Sequence, residues 1–365
     1  MKKRKIKKIV SFLIPITILL IISILDMYGA SFISNLYVSS FKKQIIWIIL
    51  SIIVGIVIYK IDIRFFLKNA FVFYIIGCIL LVLVLFIGTN VNGASSWFRL
   101  GPFSFQPSEV FKFFFLIFAS NLATKGDGRI KSFFKIILIT FIPSILIFLE
   151  PDTGVVIMYL LIMIGVILGS NIKKRYLGLM IITGIVFLGM FFGMYFLEKD
   201  TFINIFGTSF FYRIDRLLSF KNNSSYQLNN ALIGLGASGA LGFGLIHPKI
   251  YVPEITTDFV FDLSILNFGY LVGITIVLLY VFILLKIYQE KINSNNAFNK
   301  CILSGIFWMM SFQVFEHILM NIGLTPITGI TLPFLSYGGS SMLSYMMLLS
   351  LILKITTNNS SYIPD

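Results

Sequence analysis

The sequence predicts an all-α polytopic membrane protein, on three observations. Hydrophobic residues fill 58% of the 365 positions and charged residues 12%, with a mean hydropathy of +0.94, a balance foreign to soluble domains. Apolar runs approaching the roughly 20 residues that a helix needs to cross the hydrocarbon core recur about ten times. Lys and Arg gather in alternate connections between those runs, as happens when one set of connections faces the cytoplasm.

The first run, Ile9–Met27, follows MKKRKIKK. A basic then apolar start resembles a signal peptide, but no clear small-residue cleavage site follows, so it reads as a retained first helix. The remaining runs are Gln44–Tyr59, Ala70–Ile87, Ser108–Ala123, Phe134–Leu149, Gly154–Gly169, Leu177–Leu197, Phe259–Leu285, Cys301–Met320 and Gly338–Leu353. With the N-terminus inside, 20 of the 29 Lys and Arg are cytoplasmic, 8 are outside and Lys112 lies within a helix. This alternation predicts about ten transmembrane helices with both termini cytoplasmic. The chain reads as one integral membrane domain, residues 1–365, with residues 198–257 forming a large extracytoplasmic loop between helices 7 and 8.

Composition also excludes classes. The net charge of +14 is mostly a topology signal and gives no case for nucleic-acid binding. Cys78 and Cys301 fall at different depths of apolar segments, against a disulfide or a metal cluster. His247 and His317 lack metal-ligand spacing; a loop His and a helix-packing His are the better readings.

Four polar clusters face outward on this topology. In NGASSWFRLGPFSFQPSEVFK, residues 92–112, Pro107 sits in the first turn of a helix, with Gln106 or Ser108 near its cap. Glu109 and Lys112 then share a face inside the membrane, where they either neutralise each other or border a watered cavity. Trp97 there also fits an interfacial anchor. EPDTG, residues 150–154, is a short acidic turn. PITGITLPFLSYGGSS, residues 326–341, breaks helices at membrane depth, which is tolerated only inside protein or along a polar cavity.

The fourth cluster is the 198–257 loop, which is long enough to be functional. Its GLGASG matches a dinucleotide-binding pattern by letter only, since no strand precedes it. The better reading of ALIGLGASGALGFGL is short helical pieces and turns that pack closely or lie at the membrane surface. Arg213 and Arg216 stand three apart, so a helical turn puts both guanidiniums on one face. That face suits a diphosphate; pairing with Asp215 or lipid phosphates is the alternative. The loop ends at PKIYVPEITTD, where Asp258 meets the mouth of a membrane helix, and an ionisable residue there is a candidate functional group.

NGASSWFRLGPFSFQPSE, EPDTG, the stretch from Tyr226 through ALIGLGASGALGFGL, VPEITTDFVF and PITGITLPFLSYGGSS, in this order, resemble the SEDS family (shape, elongation, division and sporulation), the RodA, FtsW and SpoVE group. The resemblance implies a ten-helix peptidoglycan glycosyltransferase that polymerises lipid II at the outer face of the cytoplasmic membrane. It implies as partners lipid II, undecaprenyl-diphosphate-linked glycan, membrane lipids and a class B penicillin-binding protein. It places the family's essential aspartate on Asp258, its motif Trp on Trp97 and its helix-borne pair on Glu109 and Lys112. With Arg213 and Arg216, the candidate substrate-binding set is completed by Arg99, Gln106, Glu254, Ser336, Tyr337, Gly338 and Gly339.

The implied reaction is attack by a sugar 4-hydroxyl on C1 of a lipid-linked sugar. A hydroxyl needs a carboxylate base within reach, and Asp258 is the candidate. Thr256 or Thr257 can cap the following helix, whose dipole favours the carboxylate while partial burial opposes ionisation. Arg213, Arg216 and Lys112 are candidates to stabilise the leaving diphosphate, work that a divalent cation, Mg or Mn, can share. No organic cofactor is implied.

Three departures stand out. Leu266 and Asn267 replace a Glu pair, His317 replaces an Asn, and Asp262 appears where a small residue is usual. Asp262 either raises the proton affinity of Asp258 by like-charge repulsion or forms a helix-packing hydrogen bond. Two rival functions are a lipid II flippase and a non-catalytic scaffold for the transpeptidase partner.

Overall fold

The computed structural model describes residues 2–34, 37–91, 94–101, 103–125, 130–208, 211, 214–215, 218, 226–246 and 251–357. The order is α1 (Lys2–Ile33), α2 (Val38–Lys60), α3 (Ile63–Lys68), α4 (Ala70–Ile87), β1 (Thr89–Val91), β2 (Ala94–Leu100), β3 (Phe103–Phe105), α5 (Pro107–Thr124), α6 (Ile130–Leu149) and α7 (Thr153–Gly169). Then come α8 (Lys174–Leu197), α9 (Lys199–Phe206), α10 (Tyr226–Ser238), α11 (Val260–Asn293), α12 (Ala297–Asn321) and α13 (Gly339–Thr357).

Every predicted apolar run lies on one of these helices to within a residue. Among the described residues eight helices, α1, α2, α4, α6, α8, α11, α12 and α13, are long and apolar enough to cross a membrane. The other two predicted runs fall on α7, apolar but only 17 residues long, and α5, which carries Glu109 and Lys112. The fold is a polytopic helical membrane bundle. One feature departs from the all-α expectation: between α4 and α5 the chain forms a small antiparallel sheet, β1-β2-β3, pairing Thr89 with Trp97 and Arg99 with Ser104. β1 and β3, of three residues each, are too short to show period-2 patterning, and β2, ASSWFRL, does not alternate strictly.

The bundle's centre is made by α5, α7, α12 and α13. A Cβ on Gly165 of α7 would sit 2.5 Å from the Ser304 carbonyl oxygen of α12, so those two backbones touch, as small residues allow between membrane helices. Because α5 and α13 are buried on nearly every side, their polar residues, Glu109 and Lys112 among them, are set inside the protein. By contrast, α8 buries only Leu177 and Tyr195 and exposes Leu179, Ile182, Ile185 and Phe187, the profile of a helix surrounded by lipid. Tyr195 joins Phe202 and Phe211 in a small cluster of its own.

The helix α11 is broken at Gly269, whose φ of 79° and ψ of 179° belong to a region only glycine enters readily. A break at membrane depth strands backbone groups. The turn after α10 satisfies them: the N–H groups of Phe243 and Gly244 donate to the carbonyls of Leu266 (2.8 Å) and Asn267 (3.0 Å). Those of Tyr270 and Leu271 donate back to Gly239 (3.1 Å) and Ala240 (3.3 Å). The glycine-rich stretch is therefore a helix and a turn docked into another helix's break. GLGASG, at the end of α10, is no dinucleotide loop.

Candidate functional site

The approach to Asp258 is a tight turn. Glu254, in the left-handed region at φ 56°, accepts at its carbonyl the N–H groups of Thr257, Asp258 and Phe259 at 3.2, 3.0 and 3.2 Å. The Thr257 hydroxyl lies 3.2 Å from that same carbonyl and 3.0 Å from the Glu254 carboxylate. The 326–341 segment grips the turn from the far side: Tyr337 N–H donates to the Thr256 carbonyl at 2.8 Å, and the Ser336 hydroxyl donates to the Thr257 carbonyl at 2.8 Å.

Capping of α11 differs from expectation. Phe259 occupies the N-cap position and offers no side-chain cap, and the Thr257 hydroxyl turns back to Glu254. The cap comes from another helix: Asn321, the last residue of α12, accepts the Asp262 N–H at 3.2 Å and donates to the Asp258 carbonyl at 2.8 Å. Asp262 itself is fully buried, and neither of its carboxylate oxygens has a hydrogen-bond partner among the described residues. Among the described residues it forms no helix-packing hydrogen bond through its side chain.

Asp258 borders a cavity of about 690 Å³. Trp97, Arg99, Gln106, Glu109, Glu254, Tyr337, Gly338 and Gly339 line it as well, so most of the predicted substrate-binding set is brought together. Trp97 is half-buried in this wall. Lys112 and Ser336 stand behind it. Lys112 is fully buried and donates to Glu109 at 2.8 Å, so the pair neutralises itself and Glu109 also reaches the cavity. Arg213 and Arg216 lie outside the described residues.

Burial lifts the Asp258 carboxyl, and the neighbouring Glu254 charge raises it further, up to about 7; Thr257 opposes and Glu316 adds to the rise. Burial is the largest cause, and the like-charge neighbours that act are Glu254 and Glu316, not Asp262. A Cβ added at Gly329 would stand 3.8 Å from Asp258 Oδ2, so glycine leaves that side of the carboxylate open.

The acidic turn is also part of the wall. Asp152 caps α7, accepting from Val155 N–H at 3.1 Å, and accepts from Gln106 Nε2 at 2.8 Å; burial raises its carboxyl above the usual range. Glu150 is fully buried, and burial pushes it up to about 8. Sequence reading missed Lys43, which joins Arg99 as a cation on the cavity wall, and the inner face of α12. There Gln313 lines the cavity, Glu316 accepts from the Thr328 hydroxyl at 2.6 Å and His317 donates to the Ile330 carbonyl at 2.8 Å. The signal was present: Gln313, His317 and Asn321 recur every four residues in an apolar helix, one polar face. His317 is a packing residue, as expected.

The comparisons with known proteins agree with this fold. Residues 4–361 match the family model for FtsW, RodA and SpoVE, described as a cell cycle protein. The chain belongs to the FtsW/RodA/SpoVE family. A probable peptidoglycan glycosyltransferase FtsW of Acinetobacter baylyi is 33% identical over 86% of this chain and 79% of its own length. The protein of the same name from Buchnera aphidicola subsp. Schizaphis graminum is 30% identical over 86% and 89%. Among solved structures, a chain of a peptidoglycan synthase complex that coordinates polymerization and crosslinking superposes with TM-score 0.78 at 23% identity, covering 95% of this chain and 97% of that one. The Thermus thermophilus rod shape determining protein RodA gives 0.72 at 22%, covering 97% and 98%. Like other members of the FtsW/RodA/SpoVE family, the chain is a multi-pass protein of the cytoplasmic membrane and a glycosyltransferase of cell-wall synthesis.

Proposed function

We propose that the chain polymerises lipid II into glycan strands at the outer face of the cytoplasmic membrane, with Asp258 as general base. The observation that carries this is a carboxylate lifted to about 7 on the wall of a cavity of about 690 Å³, within the range of small-molecule sites. A base poised near working pH is what activation of a sugar hydroxyl requires. The 4-hydroxyl of one lipid II gives its proton to Asp258 as its oxygen bonds to C1 of the second lipid-linked sugar. The bond from C1 to the diphosphate oxygen breaks, and undecaprenyl diphosphate leaves.

Arg99 and Lys43 supply positive charge for that diphosphate at the wall, and Arg213 and Arg216 are proposed to add to it. Trp97, Gln106, Glu109, Glu254, Tyr337, Gly338 and Gly339 contact substrate, with Lys112 and Ser336 supporting them from behind. No three His, Cys, Asp or Glu side chains assemble as a metal cage among the described residues. A Mg or Mn ion would be held by the diphosphate with one or two carboxylates, as Mg commonly is, and no step here is routed through it. The topology in this reading has ten crossings, both termini cytoplasmic and residues 198–257 outside, next to a class B penicillin-binding protein.

The test is glycan-strand formation from labelled lipid II by purified protein, with and without a class B partner, for wild type and Asp258→Ala. Strands from wild type and none from the variant support the reading. A folded Asp258→Ala protein that still polymerises overturns the assignment of the base. No strands from folded, partner-bound wild type would turn the reading to flippase or scaffold, which a lipid II translocation assay separates.

A further inference from the structure

The break in α11 leaves the short stretch that carries Asp258 without a stiff connection to its own helix. Val260–Phe268 precedes the break at Gly269 and spans about 13 Å at about 1.5 Å per residue. A segment this short is not a stable helix alone, and past a non-helical residue it cannot take its direction from the long part of α11. Its placement must come from lateral tethers. Asn321 holds the outer end and the 239–244 turn holds the break.

A third tether lies between them, on α1. Asp26 is fully buried, and its two carboxylate oxygens accept from two residues of the short stretch: Oδ1 from Asn267 Nδ2 at 2.8 Å and Oδ2 from the Ser264 hydroxyl at 2.5 Å. The approach is close, since a Cβ at Gly29, three residues on, would meet the Asn267 side chain at 2.9 Å. The same helix reaches the opposite wall of the site. Ser23 donates to the Leu335 carbonyl at 2.7 Å and accepts from Gln44 Nε2 at 2.9 Å, beside the Ser336 and Tyr337 contacts that grip Thr257 and Thr256.

We infer that Asp26 is a positioning residue for the glycosyl transfer, a two-pronged clamp through Ser264 and Asn267 that sets where Asp258 stands in the cavity. Asp26 touches no reacting atom; it acts by fixing the segment that carries the base. This rests on the polymerase reading. The clamp accounts for Asn267: an amide there can donate to Asp26, where a second carboxylate would face it with like charge.

The chemistry of the clamp separates it from a general packing role. Asparagine at position 26 can keep both contacts: its oxygen accepts from Asn267, and its amide donates to the Ser264 hydroxyl, whose own proton can turn to the Val260 carbonyl at 3.1 Å. Alanine keeps neither. Polymerisation kinetics on labelled lipid II, with the class B partner present, should show Asp26→Ala losing at least about tenfold in kcat, the scale of effect expected when a reacting group is misplaced. KM should be unchanged and Asp26→Asn should stay within about threefold of wild type. Asn267→Ala, which keeps the Ser264 prong, should lose kcat in the same way and serves if Asp26→Ala does not fold; melting in detergent checks each protein. Wild-type kcat in a folded Asp26→Ala or Asn267→Ala overturns the clamp. So does a loss confined to KM, or an Asp26→Asn as defective as Asp26→Ala, which would make the charge matter and not the hydrogen-bond frame. Wild type without activity in the same assay sinks the polymerase reading instead, so the two failures are distinguishable.

Discussion

The side-chain amide of Asn321 bridges the Asp258 carbonyl, at 2.8 Å, and the Asp262 N–H, at 3.2 Å. One residue at the end of α12 therefore caps the start of α11 from outside and holds the backbone of the candidate base. Loss of a cap costs about 1 kcal/mol, but the larger consequence is displacement of Asp258. Asn321→Ala is expected to melt a few degrees lower and to polymerise at least about tenfold more slowly. Asn321→Asp keeps the acceptor for Asp262 but presents an oxygen to the Asp258 carbonyl, so it should recover the cap and not the rate. Steady-state polymerisation beside a thermal melt reads both; a full-rate Asn321→Ala would show that Asp258 needs no such anchor.

The pH dependence follows from the sign of the Asp258 shift. A base lifted to about 7 is protonated and inactive below that pH, so the rate should fall about tenfold per unit as pH drops beneath the midpoint. Glu254→Gln removes the larger of the two like charges raising that carboxyl and should move the midpoint down. Stability runs the other way. The folded protein holds a proton that the unfolded chain releases near pH 4, so this contribution is complete below that value and lost as pH rises through about 7. Asp258→Asn should therefore melt higher than wild type at pH 8, with the difference shrinking toward pH 5. A rate profile flat from pH 5 to 8 would remove Asp258 as the titrating base.

Much of this was legible in the residues. Apolar run length located the membrane helices, and Pro107 marked the start of α5 because its missing N–H is tolerated there. Glu109 and the 326–341 segment were legible because a charge, glycine or proline at membrane depth needs a local reason, whereas Trp97 and Gln106 entered as site residues through the family resemblance. What escaped were contacts made across long sequence separations. Asp26 stood inside an apolar run like any tolerated acid, and only the fold sets it against Ser264 and Asn267 more than 230 positions away. Thr256 and Thr257 looked like caps because they stand just before an apolar run, yet Phe259 takes the N-cap position, the tight turn through Glu254 takes the Thr257 hydroxyl and the cap is left to Asn321.

Glu109 and Lys112 form a buried ion pair at 2.8 Å, with Glu109 Oε2 lacking a partner among the described residues. Removing one member of such a pair costs about 3–5 kcal/mol, whereas replacing both by neutral groups is often near neutral. Lys112→Met should therefore lower the melting temperature sharply, since it strands a carboxylate in the bundle. Glu109→Gln/Lys112→Met should recover most of the stability and little of the polymerisation, because Glu109 also lines the cavity. Recovery of both properties would reduce the pair to packing.

Gly269 is the position where a single methyl group should do the most damage. An L-residue in its backbone conformation costs about 1–3 kcal/mol, and the added Cβ would fall 2.2 Å from the Ala240 carbonyl oxygen, a backbone atom that cannot swing aside. Gly269→Ala must therefore either expel the 239–244 turn, stranding the carbonyls of Leu266 and Asn267, or straighten α11 and carry Asp258 out of place. Both routes lose activity, and the first also exposes the turn to protease. Gly184→Ala on α8 is the control, because among the described residues nothing lies within 4 Å of its Cβ and a helical alanine is favoured over glycine by about 1 kcal/mol. Melting and limited proteolysis of the two variants read the difference. A Gly269→Ala protein that melts with wild type and resists protease would mean that α11 runs unbroken through residue 269 and that the glycine-rich turn docks elsewhere.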